Sequence, residues 1–246
     1  MNTTMLYVNG RRIWLKAEYQ PIIHLPENRI FRYETLARFY RSNGELLPTQ
    51  QMIEEIESCG LINEVTDFIF DVVCRVIRFK KTLLISFNFS PYIFNNIEYL
   101  DKLHEICVNY GVNPRSIEIE FSEKITLKQF IEGEAFLRKA KEYGFMISLD
   151  DFGAGCLKID NLALFNFDTI KIDRSIVDGI GTDFTKLEKM QNLLHKLIPL
   201  GANIIYEGVE KAADLNKLKR YLPIFIQGYI FYRPLTFQQL KLLENF

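Results

Sequence analysis

Two aspartates stand side by side in SLDDFG, residues 148–153, at the end of the apolar run GFMISL. Adjacent carboxylates repel each other and are poorly solvated beside apolar walls, so Asp150 and Asp151 require positive charge nearby. The pattern recurs along the chain: IEIEFSE ends on Glu120 and Glu123, DTIKID on Lys171 and Asp173, and ANIIYEGVE carries Glu207 and Glu210. Glu34 lies inside the apolar FRYETLARF and Asn88 inside LLISFNFSP. Gathered in one place, these acids would cost many kcal/mol without a compensating cation. The expected cation is a divalent metal. All-oxygen ligation favours Mg²⁺ or Mn²⁺ over zinc. Paired aspartates can give one bridging and one private ligand to two ions about 3.5–4 Å apart, an arrangement suited to phosphoryl chemistry.

The elements that must position these residues follow from the hydrophobic pattern. Apolar runs of strand length alternate with amphipathic runs of helix length, the signature of βα units and a mainly parallel sheet. The pattern predicts strands near 17–24, 30–37, 83–89, 116–121, 145–150, 168–172, 203–207 and 224–226. Helices are predicted near 49–58, 61–79, 97–109, 127–143, 158–164, 183–199, 211–220 and 236–245. About eight strands predict an α/β fold, a (β/α)8 TIM-like barrel. In such a barrel the C-terminal strand ends meet around one mouth, which is where the acids fall. The short polar turn PENR between the first two predicted strands fits a hairpin better than a crossover, so one barrel strand is expected to run antiparallel. No linker divides residues 1–246, which read as one domain, with 1–16 as a short extra strand or arm.

Composition narrows the class. With 48% hydrophobic and 25% charged residues the chain can bury a large core, and its net charge of −1 provides no field for a DNA duplex or an anionic membrane. The most apolar stretch, FIFDVVCRVIRF at 68–79, carries Asp71, Arg75 and Arg78 and is too short for membrane insertion. Cys59, Cys74, Cys107 and Cys156 form no CxxC pair, and the N-terminus lacks the order of a signal peptide, so a cytoplasmic location is expected.

These motifs carry a family resemblance. YETLARF resembles the signature strand of the EAL-type cyclic-di-GMP phosphodiesterases, with Thr35 where that family usually has alanine. FNFSP, IEIEFSE, SLDDFGAG, DTIKIDRS, YEGVE and QGYIFYRPL are similar to the family's other motifs, in order, from Tyr19 to Pro234. The resemblance implies metal ligands at Glu34, Asn88, Glu120, Asp150 and Asp151, with Glu207 completing the second ion's shell. It implies that Lys171 holds the attacking water with help from Glu207, so that Lys171, Glu207, Glu34 and Asp151 form the catalytic set. Gln20, Leu36 and Arg38 would hold the dinucleotide, with Arg38 forking onto a phosphate. Asp173 would contact the substrate, and Gln227 resembles the site glutamine. Glu123 resembles the glutamate bracing the loop after the paired aspartates. The family commonly continues that loop as Gly-Tyr-Ser-Ser, whereas this chain has Gly155, Cys156, Leu157 and Lys158. The implied activity is hydrolysis of cyclic-di-GMP to linear pGpG with two Mg²⁺ or Mn²⁺ ions, inhibited by Ca²⁺, lowering a bacterial second messenger. Homodimers are common in that family.

Simpler readings exist for single residues. Glu34 also fits a half-exposed strand position, Asp150 and Asp151 a helix cap before Gly153, and Glu123 a surface charge. Glu118 shares a face with Glu120 only if the strand is regular. His24, His104 and His195 are scattered and read as non-catalytic, while Phe87, Phe89, Tyr92 and Phe94 read as core or rim. Two alternatives to the phosphodiesterase stay open: a cyclic-di-GMP receptor or interaction module of the same fold, and an unrelated metal-dependent barrel enzyme. The complete acid set weighs against the first and the ordered motifs against the second.

Overall fold

The computed structural model describes residues 3–154, 157, 159–221 and 224–245. The chain opens with β1 (Thr3–Val8), β2 (Arg11–His24), β3 (Arg29–Arg41) and β4 (Leu46–Leu47). Helices α1 (Thr49–Ser58) and α2 (Ile62–Phe79) follow, then β5 (Ile85–Phe89), α3 (Ile97–Tyr110) and β6 (Ile117–Ser122). Next come α4 (Leu127–Glu132), α5 (Glu134–Tyr143), β7 (Met146–Phe152), α6 (Ile159–Leu162), β8 (Thr169–Ile172) and α7 (Arg174–Val177). The chain continues through α8 (Phe184–Leu197), β9 (Asn203–Tyr206), α9 (Ala212–Leu218), β10 (Phe225–Ile226) and α10 (Phe237–Glu244).

The sheet runs β1-β2-β10-β9-β8-β7-β6-β5-β3-β4 and closes on itself through β2–β3. Eight strands therefore form the α/β barrel, and β1 and β4 lie outside the ring. The expected antiparallel strand is β2, which opposes both β3 and β10. It must be so, because the four-residue connection 25–28 is too short to return the chain to the other end of the barrel.

Strand pleating sorts the side chains. In β8 the helix-facing Ile170 and Ile172 join the main core, while Thr169 and Lys171 alternate with them toward the barrel axis. The helix shell is sealed by α2, whose Val65, Ile69, Val72, Val73 and Val76 recur at helical spacing and are buried. Phe89, Phe94, Phe121 and Phe136 interlock at ring separations of 5.2–6.2 Å, so the predicted aromatic core is real, while Tyr92 is 71% exposed on the rim.

The elements differ from expectation in three places. The N-terminal arm is β1, paired with β2, and β2 and β3 extend beyond their predicted limits to Arg11 and Arg41. The helix predicted over 127–143 breaks at Gly133, where a Cβ would lie 2.4 Å from the Phe94 ring and 2.1 Å from Asn95 Oδ1. That approach admits only glycine, and α5 restarts from it. A short helix, α7, follows β8 unannounced, capped by the Asp173 carboxylate accepting from the Ser175 amide at 2.9 Å. Among the described residues no helix is long and apolar enough to cross a membrane.

Candidate functional site

The barrel axis carries polar side chains in two layers. The deeper one holds Arg32 and Glu118, an ion pair in which both residues are almost wholly buried. Glu118 does share its face with Glu120, as regular pleating requires, and is not solvated. Burial pushes the Arg32 guanidinium down to about 10, with Glu120 and Asp168 resisting.

The upper layer sits at the C-terminal strand ends and centres on Lys171, which is 1% exposed. Its Nζ lies 2.8 Å from Asp150 Oδ1, 2.9 Å from Glu207 Oε1, 3.0 Å from Glu120 Oε2 and 3.1 Å from Glu34 Oε2. Glu34 also accepts from Asn88 Nδ2 at 2.8 Å and Gln227 Nε2 at 2.6 Å. Gln227 is placed by a close backbone approach: at the following Gly228 a Cβ would meet the Val209 carbonyl at 2.1 Å. Gln20 is directly opposite Glu34 in the β2–β3 ladder.

Asp150 and Asp151 reach the mouth together because β7 is irregular. Leu149 pairs with Ile170 and Phe152 with Ile172, so β7 spends one residue more than β8 over this step. The bulge leaves Asp151 in the left-handed region at φ +57°, a conformation that costs a non-glycine residue and re-aims its side chain. In a regular strand the two carboxylates would point to opposite faces.

One ammonium faces too many anions. Burial, then Glu34 beside it, pushes Glu120 well above the usual carboxylate range, and burial raises Glu207 and Asp150 even against Lys171. Burial, with Asp150 adjoining, pushes Asp151 up to about 6. Burial also acts on Glu34, but Lys171, Gln227 and Asn88 together hold it below its ordinary value. Lys171 stays charged: burial opposes the charge, and Asp150, Glu120, Glu207 and Glu34 outweigh it.

This donor set fits a metal. Ligand atoms of Glu34, Glu120 and Asp150 lie within 4.8 Å of one another, as do those of Asp150, Asp151 and Glu207, so two groups share Asp150. Glu120 Oε1 is buried with no hydrogen-bond partner, an orphan acceptor of the kind a cation satisfies. The oxygen-only donors suit a hard ion.

The remaining predicted residues surround this cluster. A cleft of about 280 Å³ is lined by Gln20, Asp150, Asp151, Asp173, Glu207 and Gln227, and a cavity of about 450 Å³ by Leu36, Arg38, Asn88, Tyr92, Asp150 and Asp151. The paired aspartates thus divide two recesses. Glu123 is buried and accepts from the Gly153 and Leu157 amides, each at 2.9 Å, which is the geometry of a loop brace and not of a surface charge. Gly155, Cys156 and Lys158 lie outside the described residues. Glu210 lines the smaller cleft as well, gripped by Arg174 at 2.8 and 3.0 Å. Of the histidines, His104 stacks on Tyr143 and His24 on Phe225.

Two charged residues beside the expected ones had a readable signal. Glu18 accepts from Arg38 Nε at 3.0 Å and fixes that guanidinium; it lies two residues before Gln20, on the same strand face. Arg32 lies two residues before Glu34, and this spacing places it below the site.

An α/β barrel whose strand-end mouth gathers carboxylates around one lysine has its candidate site where barrels of this class carry theirs, with a donor set that could hold cations. The sequence match makes the class specific. The EAL domain model matches residues 6–234, and the chain belongs to the EAL domain family. It is 26% identical over 237 residues to the cyclic di-GMP phosphodiesterase NbdA of Pseudomonas aeruginosa, covering 94% of this chain and 30% of that protein. It is 28% identical over 224 residues to the probable cyclic di-GMP phosphodiesterase PdeG of Escherichia coli, covering 89% of this chain and 44% of that one. The chain thus spans less than half the length of these curated relatives. Among solved structures it is similar to the PaMucR phosphodiesterase in complex with c-di-GMP, at TM-score 0.85 and 24% identity, covering 92% and 94% of the two chains. An EAL domain protein from Listeria monocytogenes superposes at TM-score 0.83 and 26% identity, covering 94% and 92%.

Proposed function

We propose that this chain is a metal-dependent phosphodiesterase that hydrolyses cyclic-di-GMP to linear pGpG. The observation that carries the reading is the charge excess at the mouth: one lysine inside four carboxylates, with Asp151 beside them and two ligand groups sharing Asp150. Family membership and the named phosphodiesterase relatives supply the substrate.

Glu34, Asn88, Glu120, Asp150 and Asp151 would hold the ions, Mg²⁺ or Mn²⁺, with Glu207 completing the ligand set of the second ion. When bound, a metal pair supplies Lewis acidity to the phosphoryl oxygens and lowers the pKa of water. Lys171 keeps its proton, so it acts as a fixed positive charge that offsets the build-up on the attacked phosphate and orients the nucleophile. Glu207, raised by burial, is the carboxylate able to accept a proton beside it. Gln227 and Asn88 fix the Glu34 carboxylate by hydrogen bonds. Arg38, held at Nε by Glu18, would present its remaining N–H groups to a phosphate. The recesses on either side of the paired aspartates would receive the two halves of the dinucleotide, with Gln20, Leu36 and Asp173 on their walls.

The test is incubation of the protein with cyclic-di-GMP and Mg²⁺ or Mn²⁺, with and without chelator, followed by separation of the nucleotides. Chelator-sensitive pGpG is expected, with no turnover in Ca²⁺, whose longer and less regular ligand shell suits the same acids but not the same positioning. Tight binding without product in any metal would make the chain a receptor instead.

A further inference from the structure

The β2–β3 ladder does not stop at the barrel mouth. Its register runs unbroken from Gln20 opposite Glu34 out to Ile13 opposite Arg41, and β1 adds a third strand by pairing Met5 with Trp14. Directly paired residues share a face, so the face that bears Gln20 and Glu34 continues outward through Glu18 and Leu36. Beyond them it presents a row with Lys16 opposite Arg38, then one with Trp14 opposite Tyr40, then one with Arg12 opposite Tyr7. The other face, with Ile13, Leu15, Ala17 and Phe39, is buried.

This outward face is open and cationic. Trp14 is 39% and Tyr7 56% exposed, and Arg12 and Lys16 are exposed. Lys16 Nζ stands 4.4 Å from the Tyr40 ring centre and the Arg12 guanidinium 5.9 Å from that of Tyr7. A row of two cations, a row of two aromatics and a row of one of each succeed one another, each roughly 7 Å from the next, a step on the scale of one nucleotide in an extended strand. Exposed rings offer π faces to bases, and the intervening cations offer charge to phosphates. A protein chain of net charge −1 has no global reason to concentrate cations here.

We propose that this stripe is a binding track for a short single-stranded oligonucleotide leading away from the mouth. The inference rests on the phosphodiester reading of the mouth, which gives the track its direction. It involves binding alone and needs no metal.

Trp14 is the sole tryptophan of the chain, so its emission reports on the middle row. The experiment titrates the full chain, in chelator, with hexauridylate while following Trp14 emission, and with its fluorescein-labelled form while following anisotropy. Saturable quenching is expected, with affinity falling as salt rises. Trp14→Ala should weaken binding about fivefold or more, the scale of one lost base stack. The pair Arg12→Glu and Lys16→Glu, which leaves the core untouched, should weaken it about tenfold or more at low salt. Both variants should keep the parent's cyclic-di-GMP turnover. Equal binding by parent and variants, saturable binding without quenching, or no binding overturns the track. So does a fall in sedimentation mass on Trp14→Ala, which would make the stripe a contact between copies. If the parent fails to turn over cyclic-di-GMP, the reading of the mouth falls, while quenching and anisotropy still decide the track.

Discussion

Among the described residues the barrel interior contains two buried cations in opposite circumstances. Arg32 in the deeper layer faces one carboxylate, Glu118, whereas Lys171 in the upper layer faces four. A balanced pair carries no excess charge, and its net cost is the desolvation that its own attraction leaves uncompensated. An overcharged cluster is incomplete as protein: it must hold protons or recruit cations. The difference separates a structural charge from a functional one without reference to motif.

The largest expected effect breaks the balanced pair. Arg32→Leu strands Glu118 in the interior and should lower stability by about 3–5 kcal/mol. Adding Glu118→Leu should recover most of the loss. Denaturant melts in chelator and in Mg²⁺ should show the same deficit, because the charges of this layer balance each other; a metal-dependent deficit would contradict the division.

Lys171→Met probes the overcharged layer. It should cut turnover of cyclic-di-GMP by about 100- to 1,000-fold, the scale of a removed electrostatic stabiliser. Melting temperature in Mg²⁺ and metal affinity by titration should stay near the parent, since Met keeps most of the stem's volume. Near-normal turnover would remove Lys171 from the mechanism, and a joint fall in metal affinity and stability would make it a structural counter-ion.

Arg38→Ala removes a charge-assisted contact outside both layers. Affinity for cyclic-di-GMP, measured calorimetrically with Ca²⁺ to prevent turnover, should fall roughly 10- to 100-fold. Unchanged affinity would refute the phosphate contact.

The smallest effect is a slope. Asp151, pushed up to about 6, and the raised Glu120 and Glu207 bind protons more tightly folded than unfolded. Their contribution to stability is therefore present at low pH and lost as pH rises through their folded values. Glu34, held low, acts in the opposite sense but below its ordinary carboxylate range. In chelator the melting temperature should fall between pH 5 and 8, and saturating Mg²⁺ should flatten or reverse that slope. Identical slopes with and without metal would show that the acids do not hold it.

The site was legible because its acids end apolar runs or, like Glu34, interrupt one, and only a barrel brings such positions together. Glu34, Asn88, Glu120, Asp150, Lys171 and Glu207 needed nothing beyond strand alternation to be grouped. The outer halves of β2 and β3 were also written in the sequence, since Arg12, Lys16 and Glu18, with Trp14 among them, alternate with buried Ile13, Leu15 and Ala17. The predicted strand limits stopped at barrel length, although the alternation continues past the mouth. The break at Gly133 was not readable, because its cause is Phe94 and Asn95 arriving from another βα unit. Nor was the bulge at Asp150 and Asp151, since an extra residue in one strand is defined only against its neighbour's register.

That extra residue separates foldability from chemistry. Between Leu149 and Phe152 the strand takes three steps where β8 takes two, so deleting one aspartate would restore an even ladder and remove a left-handed backbone. The shortened protein should fold at least as readily as its parent while losing a proposed ligand and the divide between the two recesses. Selection acting on solubility or expression alone would favour the shorter strand. Placed beside Lys171 at the mouth, the surplus residue is thus a mark of selected function; the register shift between Ile22 and Ile23 lies away from that cluster.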